Sequence, residues 1–257
     1  MMLNMSAKPH DPRWLFLFAL GLMLSGCASP HSPSSVRKTP ERVLFVGNSF
    51  TYYNGGLEKH VQLLANSARP KNTFTADRAT QGGATLKILD EKPWVHEKIR
   101  DGHYDVVILQ EDIPELKEHN VSPFAEHARK FNEEIRRASS RTILFMAWPY
   151  ERLNWVTQAE IAQAHRELGR EIGAPVAPVG LAFQRALDVR PKLAMLGRDK
   201  EHETIHGTYL AANVIYATLF GKSPVGLEYR PTGVSAEEAA FLQRIAWATV
   251  RAWKKSP

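Results

Sequence analysis

Cysteine is almost absent from this 257-residue sequence, since Cys27 is its only cysteine. A single thiol excludes an intrachain disulfide and a four-thiolate metal site. Long basic runs are absent too, because Lys and Arg occur in runs no longer than two, such as Arg136-Arg137 and Lys254-Lys255. A net charge of +6 spread in this way gives no indication of nucleic-acid binding.

The apolar stretch near the N terminus is too short to cross a bilayer comfortably. It covers residues 14–24, follows Lys8 and Arg13, and has the layout of a secretory signal peptide. It ends in Leu24-Ser25-Gly26-Cys27, which resembles a bacterial lipobox. We therefore expect residues 1–26 to be a signal peptide and Cys27 to be the lipidated N terminus of an exported, membrane-anchored bacterial protein. The alternative is a buried amphipathic helix with a chance cysteine.

A Ser- and Pro-rich segment follows Cys27 and separates it from the rest of the chain. Residues 28–40 show no periodic apolar pattern, which predicts an extended tether over residues 27–40. The whole chain is 44% hydrophobic and 23% charged, as is typical of a globular protein. The remainder, residues 41–257, has the length of one domain.

Short apolar runs alternate with longer amphipathic ones through this domain. Strands are predicted at residues 43–46, 73–78, 104–109, 142–147 and 175–179, and helices at residues 57–68, 84–100, 123–138, 158–172, 181–189, 208–220 and 236–253. This alternation predicts an α/β fold, a three-layer α/β/α sandwich with a central parallel sheet of the flavodoxin-like type. In such sheets the carboxyl ends of the strands carry the ligand site.

The first predicted strand runs directly into Gly47-Asn48-Ser49. A serine at this junction projects from the sheet edge into the cleft, and the backbone amides that follow can donate to an oxyanion. The same three residues are also typical of a turn that caps a helix. The motif alone supports the two interpretations equally.

A carboxylate and an imidazole stand close together near the C terminus. Asp199 precedes His202 by three residues, on a predicted loop before a helix. A carboxylate in this position can bond one ring nitrogen and leave the other free to accept a proton from a serine.

Together these motifs resemble the SGNH (GDSL-like) hydrolase family, in its bacterial branch with Gly-Asn-Ser at the nucleophile. The resemblance covers roughly residues 42–225 and includes the run Gly207-Thr208-Tyr209-Leu210-Ala211-Ala212. It implies an SGNH-type fold with Ser49 as nucleophile and first oxyanion donor and with Asp199 and His202 as its partners in a catalytic triad.

The resemblance also implies two further oxyanion donors. Gly82 corresponds to the family's glycine donor, with Gly83 as the alternative, although both could be turn glycines. The third donor is usually an asparagine in Gly-x-Asn-Asp, whereas this sequence has Leu109-Gln110-Glu111-Asp112. The amide of Gln110 could replace that donor. Glu111 and Asp112 are predicted to lie in a solvated loop.

A zinc site is the competing interpretation of the same region. His202-Glu203-Thr204-Ile205-His206 matches the His-Glu-x-x-His signature. That chemistry requires both histidines on one face of a continuous helix, and Gly207 indicates a loop that enters a helix instead.

The sequence therefore predicts a serine esterase that hydrolyses acyl esters, acetyl esters among them, of a carbohydrate, cell-wall or lipid substrate. No metal or organic cofactor is implied. The membrane is the expected partner through the lipid anchor. A zinc hydrolase or an inactive, lipid-anchored binding module of the same fold is the alternative. The natural substrate and the oligomeric state are left open.

Overall fold

The computed structural model describes residues 39–68, 74–112, 120–151 and 153–256. The chain divides into two units, Met1–Arg37 and Lys38–Pro257, and the description concerns the second. The predicted signal peptide, Cys27 and nearly all of the predicted tether thus lie outside the described residues.

Five strands form one parallel sheet in the order β2-β1-β3-β4-β5. They are β1 (Arg42–Gly47), β2 (Thr75–Thr80), β3 (Val106–Gln110), β4 (Arg141–Phe145) and β5 (Val176–Ala177). All five residues of β3 are buried, as the continuous apolar run predicts for a strand covered on both faces. The predicted α/β fold with a central parallel sheet flanked by helices is confirmed.

Nine α-helices surround the sheet in the described part of the chain. They are α1 (Ser49–Tyr52), α2 (Leu57–Ala68), α3 (Leu86–Asp90), α4 (Pro93–Asp101), α5 (Ser122–Arg137), α6 (Gln158–Ile172), α7 (Val179–Val189), α8 (Ile205–Phe220) and α9 (Ala236–Lys255). A 3₁₀ turn, Tyr53–Gly55, joins α1 to α2. None of the described helices is both long and apolar enough to span a bilayer.

The predicted helix over residues 84–100 is two helices, α3 and α4. Pro93 is the cause, because proline lacks an N–H and disfavours the helical conformation of the residue before it. Lys92 accordingly has the extended angles φ −105 and ψ 106, and Pro93 starts α4. The second strand, predicted at residues 73–78, lies two residues later.

The hydrophobic core extends from Val43 to Val250 and lies wholly within the unit Lys38–Pro257. Helix α8 is buried over most of its length, which fits its nearly uniform apolar sequence. The register pairs Gly47 of β1 with Thr80 of β2, and Val46 with Leu109 of β3. The segments that follow these three strands therefore emerge side by side at one rim of the sheet.

Candidate active site

The segment after β1 holds Ser49 at the start of α1. Asn48 is the N-cap of this helix, and its side-chain oxygen accepts a hydrogen bond from the amide of Phe50 at 3.1 Å. The side-chain nitrogen of Asn48 donates to Asp112 Oδ2 at 2.8 Å and to the Ala84 carbonyl at 3.3 Å. The turn therefore caps α1 and places Ser49 at the first position of this helix.

Gln110, the last residue of β3, bonds to this turn through its side chain. Its side chain is fully buried, and its Oε1 accepts from the amide of Asn48 at 2.8 Å and from Thr51 Oγ1 at 3.3 Å. Its Nε2 donates to the Glu111 carbonyl at 2.5 Å. Both polar atoms of this buried side chain bond to the protein, and the role of Gln110 as third oxyanion donor stays a prediction.

The predicted solvated loop at Glu111 and Asp112 is wrong, because both carboxylates are buried. Glu111 Oε1 accepts from the amides of Leu86 and Asp112 at 3.2 and 2.6 Å. Asp112 accepts from Asn48 and, at 2.9 Å, from the hydroxyl of Tyr150. Hydrogen bonding to backbone and side-chain donors offsets the cost of burying these groups. The bond between Asn48 and Asp112 also explains the asparagine at position 48, since an aspartate there would place a second carboxylate beside that of Asp112.

The loop before α8 carries the carboxylate and the imidazole. Asp199 Oδ2 lies 2.8 Å from His202 Nδ1, and Asp199 Oδ1 accepts from the amides of Glu201 and His202 at 3.1 and 3.0 Å. The hydrogen bond from His202, joined by these two amides, lowers the pKa of Asp199 below its ordinary value. A charged Asp199 can only accept, so the proton on Nδ1 belongs to His202.

The structure brings Ser49 and His202 together across 153 residues of sequence. His202 Nε2 lies 2.9 Å from Ser49 Oγ. With Nδ1 protonated by its bond to Asp199, a neutral ring leaves Nε2 as an acceptor for the serine hydroxyl. The hydroxyl, the imidazole and the carboxylate thus form one hydrogen-bonded chain that can take a proton from Ser49.

Aromatic rings surround the imidazole. Tyr53 stacks on His202 with ring centroids 4.4 Å apart and an angle of 16°, and it is 40% exposed. Phe50 meets the same ring edge-on at 5.8 Å. Trp148 is buried, stacks on Phe183 at 4.2 Å and donates its Nε1–H to the Glu201 carbonyl at 3.0 Å. Tyr53 therefore borders the cleft, whereas Trp148 packs beneath the loop of His202.

Two backbone amides remain available at the expected oxyanion positions. Among the described residues, neither the amide of Ser49 nor that of Gly82 donates to a protein acceptor. The turn of Gly82 lies beside the turn of Ser49, because the amide of Gln81 donates to the Gly47 carbonyl at 3.2 Å. A Cβ on Gly82 would lie 2.7 Å from the hydroxyl of Tyr52, so a side chain at this position would have to displace that hydroxyl. Gly83 has φ +62 and turns the chain toward α3.

The helix required for zinc chemistry is not formed. Helix α8 begins at Ile205, after Thr204 caps it, so His202 lies outside the helix and His206 within its first turn. His202 is directed at Ser49, and His206 Nε2 lies 3.2 Å from Glu238 Oε1 in α9. Among the residues that the structure describes, no group of three or more His, Cys, Asp and Glu side chains has the geometry to hold a metal ion.

Asn54 is a site residue that the sequence argument missed. It adopts the left-handed conformation, with φ 51 and ψ 34, and its side chain bonds to the loop of His202. The signal was present in Asn54-Gly55-Gly56, because asparagine and glycine are the residues that most readily adopt this conformation.

Comparison with known proteins gives a structural likeness only. No protein-family model matches the chain, and no curated protein matches it. A DUF4886 family protein from Bacteroides uniformis superposes with a TM-score of 0.68 at 17% identity, over 84% of this chain and 96% of that chain. A catalytic mutant of an acetylxylan esterase from Geobacillus stearothermophilus gives 0.59 at 16% identity, over 75% and 97%. A proposed SGNH hydrolase from Slackia heliotrinireducens gives 0.56 at 21% identity, over 69% and 98%. The chain therefore has the α/β fold of the SGNH hydrolase structures.

Proposed function

We propose that this protein is a serine esterase that hydrolyses short acyl esters through Ser49, His202 and Asp199. The observation that carries the proposal is the hydrogen-bonded chain from Ser49 Oγ through His202 to Asp199, with distances of 2.9 and 2.8 Å. The shared fold with SGNH esterases supports it.

The reaction follows from these contacts. His202 Nε2 takes the proton of Ser49 as its oxygen attacks the ester carbonyl, and the charged Asp199 stabilises the imidazolium that forms. The amides of Ser49 and Gly82 donate to the developing oxyanion. The alcohol leaves with the proton held by His202, and an acyl group stays on Ser49. Water then enters, and its oxygen attacks the acyl carbonyl as His202 takes its proton. His202 returns this proton to Ser49 Oγ as the acid leaves, which restores the serine.

The proposed substrate is an acetylated carbohydrate. Two of the similar structures are described as acetylxylan esterases, and Tyr53 offers an exposed aromatic ring beside His202. Acetylated xylo-oligosaccharides, acetylated cell-wall fragments and short-chain lipid esters are the panel that tests this choice. The highest kcat/KM on a lipid ester would contradict it and leave the esterase proposal in place.

Ser49→Ala tests the mechanism itself. We expect turnover of a short activated ester to fall by about a thousandfold or more, because the nucleophile is removed. Ser67→Ala is the matched control, since the hydroxyl of Ser67 bonds to the Leu64 carbonyl in α2, away from the triad. A fluorophosphonate should label the wild type and the control variant but not Ser49→Ala. An unlabelled wild type would favour a binding module of the same fold, and near-normal turnover by Ser49→Ala would exclude the mechanism.

We further propose that the protein is exported and anchored to a membrane through Cys27. The basis is the lipobox-like sequence Leu24-Ser25-Gly26-Cys27 after the apolar residues 14–24.

A further inference from the structure

The loop that carries His202 is held in place through three of its carbonyls. The Lys200 carbonyl accepts from the amide of Glu151 at 3.0 Å, and the Glu201 carbonyl accepts from Trp148 Nε1 at 3.0 Å. Both of these donors follow β4. The Glu203 carbonyl accepts from Asn54 Nδ2 at 2.8 Å, and Asn54 belongs to the segment that carries Ser49.

The side-chain amide of Asn54 uses both of its hydrogens at this junction. The second hydrogen goes to Thr208 Oγ1, also at 2.8 Å. The Thr208 hydroxyl in turn donates to Glu203 Oε1 at 3.3 Å. Donors and acceptors therefore match around a closed ring of three residues, which fixes the amide in one orientation.

The backbone of Asn54 is held from the opposite side. Its carbonyl lies 3.0 Å from His60 Nε2, and His60 Nδ1 lies 2.8 Å from the hydroxyl of Tyr229. Burial lowers the pKa of His60, so the ring is neutral and carries one proton. A carbonyl can only accept, which assigns that proton to Nε2. This bond holds the left-handed turn that aims the Asn54 side chain at Glu203.

Among the hydrogen bonds of the described residues, three join the segment of Ser49 to the segment of His202. One is the bond between Ser49 and His202, and the other two are those of Asn54. The preceding residue, Tyr53, adds its stacking on the imidazole ring.

From these contacts we infer that Asn54 is a positioning residue, which holds the loop of His202 at bonding distance from Ser49 by tying the Glu203 carbonyl and Thr208 to the nucleophile segment. The inference rests on the proposed esterase function. Asn54 does not touch the reacting atoms and acts through the spacing of the two catalytic segments.

Asn54→Gly is the variant that tests this role, because glycine keeps the left-handed backbone and removes only the side chain. We expect kcat on a short ester to fall by about 10- to 100-fold, since a displacement of about 1 Å in a catalytic group has an effect of this size. KM should change by less than about twofold, because binding of the ester is not removed. The rate of labelling by a fluorophosphonate should fall by the same factor as kcat.

Two conservative substitutions of Thr208 test the same hydrogen bonds. Thr208→Val removes the hydroxyl at nearly constant volume and should lower kcat in the same direction as Asn54→Gly. Thr208→Ser keeps the hydroxyl and should restore most of the rate. Asn66→Ala is the matched control. The side chain of Asn66 also bonds to the backbone of another segment, at Phe74, away from the catalytic segments. This variant should leave kcat unchanged.

The outcomes separate the two proposals. Thermal unfolding of each variant gives its folded fraction, and rates are expressed per folded molecule. A wild type that turns over esters beside an Asn54→Gly variant with an unchanged kcat and labelling rate overturns the role of Asn54 alone. Equal kcat values for Thr208→Val and Thr208→Ser would also overturn the role of Asn54. A wild type that neither reacts with a fluorophosphonate nor hydrolyses esters removes the esterase proposal, and the role of Asn54 with it.

Discussion

Glu203 follows the proposed base directly, yet its side chain is only 2% exposed. Burial raises the pKa of Glu203 to about 8, and the nearby charge of Asp199 acts in the same direction. The folded protein thus keeps a proton on this carboxyl at neutral pH, whereas the unfolded chain releases it near the ordinary value of 4.5. Because the folded state binds the extra proton, stability should decrease as pH rises between these two values.

Glu203→Gln should remove this pH dependence. Glutamine keeps an oxygen that can accept from Thr208 and has no proton to lose. We expect the variant and the wild type to be similarly stable near pH 4.5, and the variant to gain on the wild type by up to about 1.4 kcal/mol per pH unit toward pH 8. Urea unfolding at several pH values measures the difference. The same difference at every pH would contradict the prediction, and Glu97→Gln, at an exposed position, is the control.

At the residue scale, the side chains of the proposed triad could be selected from the sequence because each stands in a short motif. Ser49 directly follows an apolar strand, and Asp199 and His202 are only three residues apart. The direction of the Gln110 side chain could not be predicted, because an amide after a strand fits a cleft or a backbone equally well. The structure shows that the backbone amide of Asn48 donates to the side-chain oxygen of Gln110.

At the element scale, Gln110 joins the carboxyl ends of β1 and β3 through the amide of Asn48. Gln110→Ala should leave that buried amide and Thr51 Oγ1 without their acceptor and create a cavity. We expect a loss of about 2–4 kcal/mol in the free energy of unfolding, together with a lower kcat because the turn of Ser49 loosens.

Denaturant unfolding and ester kinetics measure the two effects of Gln110→Ala. A lower kcat with unchanged stability would instead indicate the oxyanion role that the family resemblance implied. Gln163→Ala is a suitable control, since Gln163 is exposed on α6 and its side chain bonds to Glu167 in the same helix. It should leave both measurements unchanged.

Most elements could be predicted from periodicity, and their boundaries depended on local chemistry. The helix predicted over residues 158–172 has these bounds in the structure, where Thr157 and Glu160 form a capping box at its start. The sequence pattern predicts one helix over residues 84–100 and misses the break at Pro93, since the apolar spacing continues through it. The short turn Tyr53–Gly55 is set by tertiary bonds from Asn54, which no periodic pattern records.

At the scale of the whole molecule, the parallel sheet could be predicted because strands and helices alternate throughout the domain. The natural substrate could not, because the shape of a cleft depends on how separate loops pack. The anchor is likewise a matter for experiment, since Cys27 lies outside the described residues.

Cys27→Ser should release the full-length protein from membranes. Acyl chains contribute about 0.8 kcal/mol per buried CH₂, so their loss removes the proposed attachment. Fractionation of the producing cells and metabolic labelling with palmitate measure the outcome, and Ser34→Ala in the predicted tether is the control. Palmitate incorporation into Cys27→Ser, or an unlabelled wild type, would contradict the proposed anchor.

The short spacing of Asp199 and His202 has a consequence for how the reaction could be tuned. A loop of four residues delivers both groups as a preassembled unit, with its internal bonds made by neighbours in sequence. Assembly of the triad then depends on the placement of that unit relative to Ser49. A mutation or ligand elsewhere in the molecule can therefore alter the rate, without touching the substrate, by shifting that unit relative to Ser49.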